Sequence, residues 1–271
     1  MHKIAKNVYV ETGFGGCNVS FVVTKEGVVM IDTPVVPSEA IKWRDQIAEY
    51  GPIRYVINNE PHVDHVAGNC FFGGTLIAHE GARKAIEQMS MKMLKDMLKR
   101  IAPESLPLPK EYTIRVPDIT LSQYLTIYLG EHTFELMHLP GHTPYQLAVF
   151  VPQERVVFTS DNVVNGQPPF LHQAVPYDWL ESLKQIEKLD VDVIVPGHGA
   201  ICDRSYIPKI SAAIQTWINI ISESINKGMT LEETQESLRL QNYFPNIPTE
   251  DWMKQEYPIM IAHLYNLLKK R

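Results

Sequence analysis

A short segment near residue 60 concentrates side chains that bind metal ions. The segment INNEPHVDHVAGN, residues 57–69, carries Glu60, His62, Asp64 and His65 within six positions. On an extended stretch Glu60 and His62 point the same way, and Asp64 continues that alternation. His65 falls where a helix is predicted to begin, so its side chain points elsewhere. A segment that offers ligands in two directions favours two neighbouring metals over one.

Three further ligand-type residues lie downstream, each after a strand-like run. His142 lies in LPGHTPYQ, Asp161 in VFTSDNVV and His198 in VIVPGHGA. A single histidine after a strand is more often a core or surface residue than a ligand. Three such residues in this order, added to the first segment, indicate a metal centre assembled where strands end.

These motifs give the chain a resemblance to the metallo-β-lactamase superfamily. That family carries an H-x-H-x-D-H run, a histidine in a G-H-T turn, an aspartate after a strand and a last histidine, often in P-G-H-G. Here E-P-H-V-D-H stands at 60–65, G-H-T at 141–143, S-D at 160–161 and P-G-H-G at 196–199. MIDTP also matches the family's early strand that ends in an aspartate, here Asp32. The resemblance extends from residue 7 to residue 205.

The resemblance implies a fold and a division of the ligands. The implied fold is of the α/β class, a four-layer αββα sandwich with a dinuclear site at the edge between two sheets. Two Zn²⁺ ions per chain are expected. The ligands would be Glu60, His62 and His142 in site one, Asp64, His65 and His198 in site two, and Asp161 as a bridge between the metals.

Glu60 stands where most members of the family carry a histidine. As a ligand it would add a negative charge and favour iron or manganese beside zinc in its site. Alternatively it turns away and leaves site one weak or empty; we favour the ligand interpretation. Ser160 replaces a glycine that is common before the bridging aspartate, and we expect this change to matter less.

Metal-assisted hydrolysis is the chemistry that the resemblance implies. Two metals lower the pKa of a shared water from 15.7 towards about 7 and polarise a substrate oxygen. Asp64, the predicted catalytic residue, would orient that water or shuttle its proton. A lactone, an ester, a thioester or a β-lactam amide could be the substrate, and a low β-lactamase side activity is compatible with each. The alternatives are an iron oxidoreductase like the persulfide dioxygenases, a phosphodiesterase, and a binding scaffold without activity, which the nearly complete ligand set disfavours.

Two strand-rich halves would position these residues. Strands are predicted at NVYVETG, NVSFVVTKEG, VVMIDTP, IRYVINN and TLIAHE in the first half, and at YLTIYLG, HTFELMHLPG, QLAVFVPQE, RVVFTSD and DVIVPGHG in the second. Helices are predicted at PSEAIKWRDQIAEYG, with Ser38 as N-cap, and at PYDWLESLKQIEKL. One long helix is predicted over GARKAIEQMSMKMLKDMLKR, whose methionine-rich face is either core or a flexible substrate wall.

The last quarter of the chain has a helical pattern. YIPKISAAIQTWINIISESINKG keeps isoleucines on one face, Thr230 and Glu233 form a capping box, and IMIAHLYNLLKKR reads as a final helix. We expect residues 1–205 to form the αββα domain and residues 206–271 a helical extension packed on it. That extension would overhang the site or mediate a dimer.

The loop after Asp161 offers candidates for substrate contact. Phe170, Leu171, Tyr177 and Trp179 suggest an apolar cleft, although Trp179 also suits the buried face of a helix. Phe170 and Arg204 are the candidate substrate-binding residues, and a surface salt bridge is the alternative for Arg204. Among the other histidines, His79 would lie near the ligands or in the core; structural or exposed positions are expected for His132, His138 and His172.

Bulk composition limits the other possibilities. With 271 residues and 45% hydrophobic content the chain can form one large core. The net charge of −6 and the lack of a basic run before the terminal KKR argue against nucleic acid as a partner. Without a signal-like N-terminus or a membrane-length apolar run, we expect a cytoplasmic protein with a small-molecule substrate, as a monomer or homodimer. Three scattered cysteines favour reduced thiols over disulfides.

Overall fold

Two β-sheets form the centre of the molecule. The structure is a computed structural model that describes residues 1–244 and 251–270; residues 245–250 and 271, in the predicted C-terminal extension, lie outside it. The first sheet has seven strands in sequence order: β1 (His2–Lys3), β2 (Val8–Glu11), β3 (Val19–Thr24), β4 (Gly27–Ile31), β5 (Ile53–Ile57), β6 (Thr75–His79) and β7 (Ile119–Leu121). It is antiparallel from β1 to β4 and parallel from β4 to β7.

The second sheet has the order β12-β11-β10-β9-β8. Its strands are β8 (Tyr124–Leu129), β9 (His132–His138), β10 (Leu147–Val151), β11 (Val156–Asn165) and β12 (Val193–Gly199). All pairs are antiparallel except β11 with β12, which are parallel. Parallel strands end at the same edge, so the carboxyl ends of β4, β5, β11 and β12 are available to carry functional groups.

Eight α-helices and five short 3₁₀ helices complete the described part of the chain. The α-helices are α1 (Pro37–Ala48), α2 (Val63–Val66), α3 (Glu80–Glu87), α4 (Met91–Ile101), α5 (Pro176–Glu187), α6 (Ile207–Asn226), α7 (Leu231–Ser237) and α8 (Asp251–Lys269). Thr230 and Glu233 form the predicted capping box at the start of α7. None of the helices within residues 1–244 and 251–270 combines the length and apolarity needed to cross a bilayer.

Three apolar layers hold the elements together. Val22, Phe134 and Val149 belong to the core between the two facing sheets. Trp43 of α1 packs on the outer face of the first sheet, and the side chains of α5, α6 and α8 share one cluster with the outer face of the second. Trp179 of α5 belongs to that cluster. The expected αββα layering is therefore confirmed.

Two helix predictions were wrong in detail. The single long helix is two helices, α3 and α4, because Ser90 interrupts the backbone and its hydroxyl caps α4 by accepting from Met93 N at 3.2 Å. The methionine stripe is correspondingly split, with Ile86 buried and Met93 54% exposed. Helix α1 begins at Pro37 rather than after Ser38, because the fixed φ of proline suits the first helical position.

Candidate metal centre

The end of β5 and the short helix α2 position the first four candidate ligands. The backbone N–H of Asn59 donates to Asp32 Oδ1 at 2.8 Å, which ties the end of β5 to the end of β4. His62 is the N-cap residue of α2, so Asp64 and His65 lie in its first turn. The change from extended chain to helix is what lets one segment present ligands in two directions.

Three loops and strands bring the remaining candidates to the same place. His142 lies between β9 and β10, where its backbone N–H donates to Asn162 Oδ1 at 2.9 Å. Asp161 lies inside β11 rather than at its end, since the strand continues to Asn165. The register of β11 against β12 shifts on both sides of Ser160, whose φ of 46° is in the left-handed region. This irregularity turns the chain so that the next side chain faces the site.

Glu60, His62 and His142 form one group of donor atoms. Glu60 Oε2 contacts His62 Nδ1, and His142 Nε2 lies 3.0 Å from that nitrogen and 3.5 Å from the carboxylate oxygen. The Glu60 side chain is fully buried. The alternative in which Glu60 turns away is therefore not the conformation that the structure has.

Asp64, His65 and His198 form the second group. Asp64 Oδ2 lies 3.2 Å from His198 Nε2 and 3.7 Å from His65 Nε2. Asp161 lies between the two groups: Oδ1 is 3.4 Å from His65 Nε2, and Oδ2 is 3.4 Å from His198 Nε2 and 3.7 Å from His142 Nε2. Asp161 therefore lies within 3.7 Å of donor atoms from both groups.

The donor atoms fit divalent metal ions. Within the described residues, His65 Nε2 and Asp161 Oδ1 are buried without a hydrogen-bond partner although they face each other. Such buried polar atoms are costly unless a ligand or ion satisfies them. Tetrahedral ligands at about 2.0–2.1 Å from zinc stand about 3.3 Å apart, close to the spacings in both groups. Imidazole and carboxylate donors suit zinc, iron and manganese.

Asp32 and Ser160 hold the ligands from behind. Asp32 Oδ2 lies 3.0 Å from His65 Nδ1, which leaves Nε2 of the ring for a metal. The Ser160 hydroxyl lies 3.0 Å from His65 Nδ1, 3.1 Å from Asp32 Oδ2 and 3.1 Å from Glu60 Oε1. We expected the replacement of glycine here to matter less, but glycine would remove all three contacts.

Opposite charges shift the pKa values across the site. Burial alone would raise the pKa of Glu60, but His65 first, then His142 and His62, lower it to about 2. Burial alone would lower the pKa of His198, but the Asp161 and Asp64 carboxylates raise it to about 10. Without metal, protons on imidazoles therefore offset the buried carboxylates, and a bound metal would take the place of those protons.

A cavity of about 280 Å³ opens above the two groups. Met97 and Ile101 of α4 and Phe170 form its apolar wall. Arg100 and Glu256 also line it and pair at 2.9 Å, which joins α4 to the C-terminal helix α8. The cavity thus has a charged floor, an apolar side and an ion pair that links its walls.

Most of the predicted substrate-contact residues do not line the cavity. Of the four predicted cleft residues, only Phe170 is among those that line the cavity in the described part of the chain. Leu171 and Trp179 are fully buried in the core, and Tyr177 is 37% exposed. Arg204 is exposed and is not among the residues that line the cavity. Its guanidinium donates to Leu189 O at 3.3 Å.

His172 is the residue that sequence reasoning missed. We expected it to be structural or exposed, yet it lines the cavity with its Nε2 3.3 Å from His62 Nε2. Burial, then His62 and His142, lower the pKa of its imidazole to about 3. The available signal was its place in the loop after Asp161, two residues from Phe170.

His79, His132 and His138 have structural contacts. His132 Nε2 pairs with Glu154 Oε1 at 2.8 Å, and His138 Nε2 donates to Pro144 O at 2.9 Å. His79 accepts from the backbone N–H of Gly81 at 3.0 Å as the N-cap of α3. Its ring stacks on that of His138 with centroids 4.2 Å apart. These contacts agree with the structural positions expected for His132 and His138.

Comparison with known proteins found one matching family model and several similar sequences. The model of the metallo-beta-lactamase superfamily matches residues 12–198. A metallo-beta-lactamase type 2 from Elizabethkingia meningoseptica is 24% identical over 82% of this chain and 85% of its own. The 2,4-dinitroanisole O-demethylase subunit alpha of Nocardioides sp. (strain JS1661) is 24% identical over 64% of this chain. This match spans only 49% of the demethylase subunit, about half its length.

Solved structures show the same fold. A metallo-beta-lactamase from Pontibacter korlensis superposes with a TM-score of 0.61 at 18% identity, over 79% of this chain and 97% of that one. A stereoselective inverting sec-alkylsulfatase from Pseudomonas sp. superposes with a TM-score of 0.72 at 16% identity, over 98% of this chain and 49% of that one. The second likeness extends over almost the whole chain.

Proposed function

The chain belongs to the metallo-β-lactamase superfamily, and from that premise we propose that it is a dinuclear zinc hydrolase of small carbonyl-type substrates. One observation carries the proposal: two groups of buried and partly buried imidazole and carboxylate donors meet at Asp161 on the floor of a single cavity. The buried His65 Nε2 and Asp161 Oδ1, unpaired in the described residues, support occupation by cations.

Bound there, two divalent ions would supply a hydroxide nucleophile at neutral pH and polarise the oxygen of the scissile group. The protein supplies the positions of the ligands and the apolar wall of the cavity. His65 is oriented by Asp32, and His142 is oriented by the carbonyl of Phe170, which its Nδ1–H meets at 2.8 Å. Preorganised donors of this kind need no rearrangement during the reaction.

Asp64 is the carboxylate placed to handle a proton. It lines the cavity and its side chain is 20% exposed, whereas the Glu60 side chain is fully buried. A general base must come within hydrogen-bond reach of the proton that it takes. Asp64 meets that requirement for a water or substrate in the cavity, and we assign it this role.

The cavity supports a small and partly apolar substrate. A volume of about 280 Å³ is near the lower end for small-molecule sites, and Met97, Ile101 and Phe170 provide apolar contact. The β-lactamase from Elizabethkingia, named for an amide substrate, aligns over most of its length, which favours a carbonyl group as the reacting centre. Lactone, ester, thioester and β-lactam amide all present one.

A substrate panel tests this function. The metal-loaded protein is assayed with a lactone, a thioester, a phosphodiester and a chromogenic cephalosporin, each with zinc, manganese and iron. We expect turnover of at least one carbonyl substrate with zinc. Asp64→Asn should abolish it, while Asp45→Asn, at an exposed position on α1, should leave it unchanged. Failure of all four substrates with all three metals would overturn the proposal.

A further inference from the structure

His62 has a neighbour at each of its two ring nitrogens. Nδ1 contacts Glu60 Oε2 and lies 3.0 Å from His142 Nε2, whereas Nε2 lies 3.3 Å from His172 Nε2. A neutral imidazole has one nitrogen free to bind a metal and one that carries a hydrogen. The choice between them decides how His62 enters site one.

His142 identifies the nitrogen that faces the metal. Its Nδ1–H donates to Phe170 O at 2.8 Å, so its free nitrogen is Nε2. That atom lies beside His62 Nδ1. A metal shared by the two rings therefore stands on the Nδ1 side of His62, and the hydrogen of His62 belongs on Nε2.

We propose that His172 is a positioning residue for site one, whose Nε2 accepts the hydrogen bond from His62 Nε2–H and so keeps His62 Nδ1 facing the metal. The proposal rests on the proposed function in that site one holds a metal. Histidine ligands generally donate their second N–H to a carboxylate, carbonyl or water. His65 has Asp32 in this role and His142 has the carbonyl of Phe170.

The contacts of His172 are directed at the site rather than at its own loop. Among the described residues, His62 is its single hydrogen-bond partner, and its Nδ1 is buried without one. Its ring packs against His62 and His142, with centroids 4.9 and 5.5 Å away. The loop has separate anchors, including the Ala174 carbonyl, which accepts from His263 Nε2 at 2.8 Å. Packing of the loop therefore does not account for His172.

Three variants separate positioning from packing. His172→Leu removes the acceptor, His172→Gln keeps an acceptor oxygen, and His263→Leu loosens the same loop without touching His62. Zinc affinities are measured by competition with a chromogenic chelator, and folding by thermal unfolding. We expect His172→Leu to weaken one of the two zinc sites by about 10–100-fold and to leave the other unchanged. The zinc affinities of His172→Gln and His263→Leu should stay within about threefold of wild type.

A spectroscopic measurement tests the tautomer directly. In zinc-loaded protein with ¹⁵N-labelled histidine, long-range ¹H–¹⁵N spectra should show His62 with metal on Nδ1 and hydrogen on Nε2. Metal on Nε2 would overturn the proposal, as would wild-type affinities in His172→Leu or an equal loss in His263→Leu. A loss in His172→Gln equal to that in His172→Leu would make His172 a ligand instead, and would also overturn it.

These measurements need no substrate, so the role of His172 can be tested independently of the hydrolase activity. A protein that binds two zinc ions but hydrolyses none of the panel overturns the proposed function and leaves the role of His172 intact. Two bound zinc ions with an unaffected His172→Leu variant overturn only the role of His172. Wild-type protein that binds fewer than two zinc ions overturns both.

Discussion

The two donor groups share Asp161 and one cavity, yet they differ in how their atoms are satisfied. In site one the donors meet each other, since Glu60 Oε2 contacts His62 Nδ1. In site two His65 Nε2 is buried and lacks a hydrogen-bond partner among the described residues. A metal at site one must displace the Glu60–His62 contact. A metal at site two must displace the Asp64–His198 contact at 3.2 Å, but it also satisfies His65 Nε2. We therefore expect site two to bind zinc more tightly.

The residues that hold the ligand histidines also favour site two. His65 is held by the charged Asp32 and by Ser160, at 3.0 Å each. His142 is held by a neutral carbonyl, and in our proposal His62 is held by the neutral imidazole of His172. Charge-assisted hydrogen bonds are about twice as strong as neutral ones, so the ring in site two is the more firmly oriented.

The largest effect is expected at the residue that the two sites share. Asp161→Ala removes a donor from both and should lower activity and the affinity for both metals by more than about 100-fold, beyond the range for residues behind the ligands. Metal content after gel filtration and turnover of the best substrate measure it. Asp45→Ala, at an exposed position, is the control. Loss of one metal only would show that Asp161 does not join the sites.

Asp32→Asn should cause a smaller loss of zinc affinity, confined to site two, which we expect to bind zinc more tightly. The amide cannot give the His65 ring the charged partner that it has at 3.0 Å, and such substitutions cost about 10–100-fold in metal affinity. Titration with a chelator of known affinity separates the two sites. If the weaker metal were the one affected, the assignment of the tighter site to His65 would be wrong.

Glu60→Gln should lower the metal affinity of site one by about tenfold. The amide keeps an oxygen at the position next to His62 but removes the charge. Direct zinc titration and manganese titration of wild type and variant measure the loss. Equal stoichiometry, equal affinity and equal activity would show that Glu60 is not a ligand.

The smallest expected effect is a pH dependence of the thermal stability of the metal-free protein. Asp161 and Asp64 raise the folded-state pKa of His198 to about 10 despite its burial, above the unfolded value near 6.5. This contribution to stability is present below pH 6.5 and is lost as pH rises through 10. Thermal unfolding of metal-free protein should thus occur at lower temperature as pH rises over this range. The zinc-bound protein should lack this dependence, and His198→Gln should show a shallower one, because the pKa values of His65 and His62 are also raised. A slope in metal-free His198→Gln equal to that of the wild type would contradict the prediction.

Most strands could be predicted because their alternation is visible in the sequence. The sandwich and the proposed ligand set came from the resemblance to a family, carried by short motifs such as those around His142 and His198. The role of Ser160 could not be predicted, because its hydroxyl meets Asp32, 128 positions away, only after the two sheets have packed. His172 escaped for the same reason: its contact with His62 depends on the path of an irregular loop, which has no periodicity to read.

The break between α3 and α4 shows a limit of a different kind. Methionine and isoleucine continued the helical period across residues 88–90, and apolar spacing alone does not register an interruption. Ser90, a good N-cap in the middle of the run, was the signal that a second helix begins. Local capping chemistry outweighed the pattern at this position.

The pairing of Arg100 with Glu256 brings a residue from beyond the family segment into the wall of the cavity. Every candidate ligand lies between residues 60 and 198, inside the segment that the family model matches, whereas Glu256 lies in a helix beyond it. Recombination or divergence downstream of residue 198 can therefore reshape the cavity and leave the metal centre intact. Chimaeras that exchange the C-terminal helices between relatives would keep every candidate ligand of one parent and replace only the Glu256 side of the cavity.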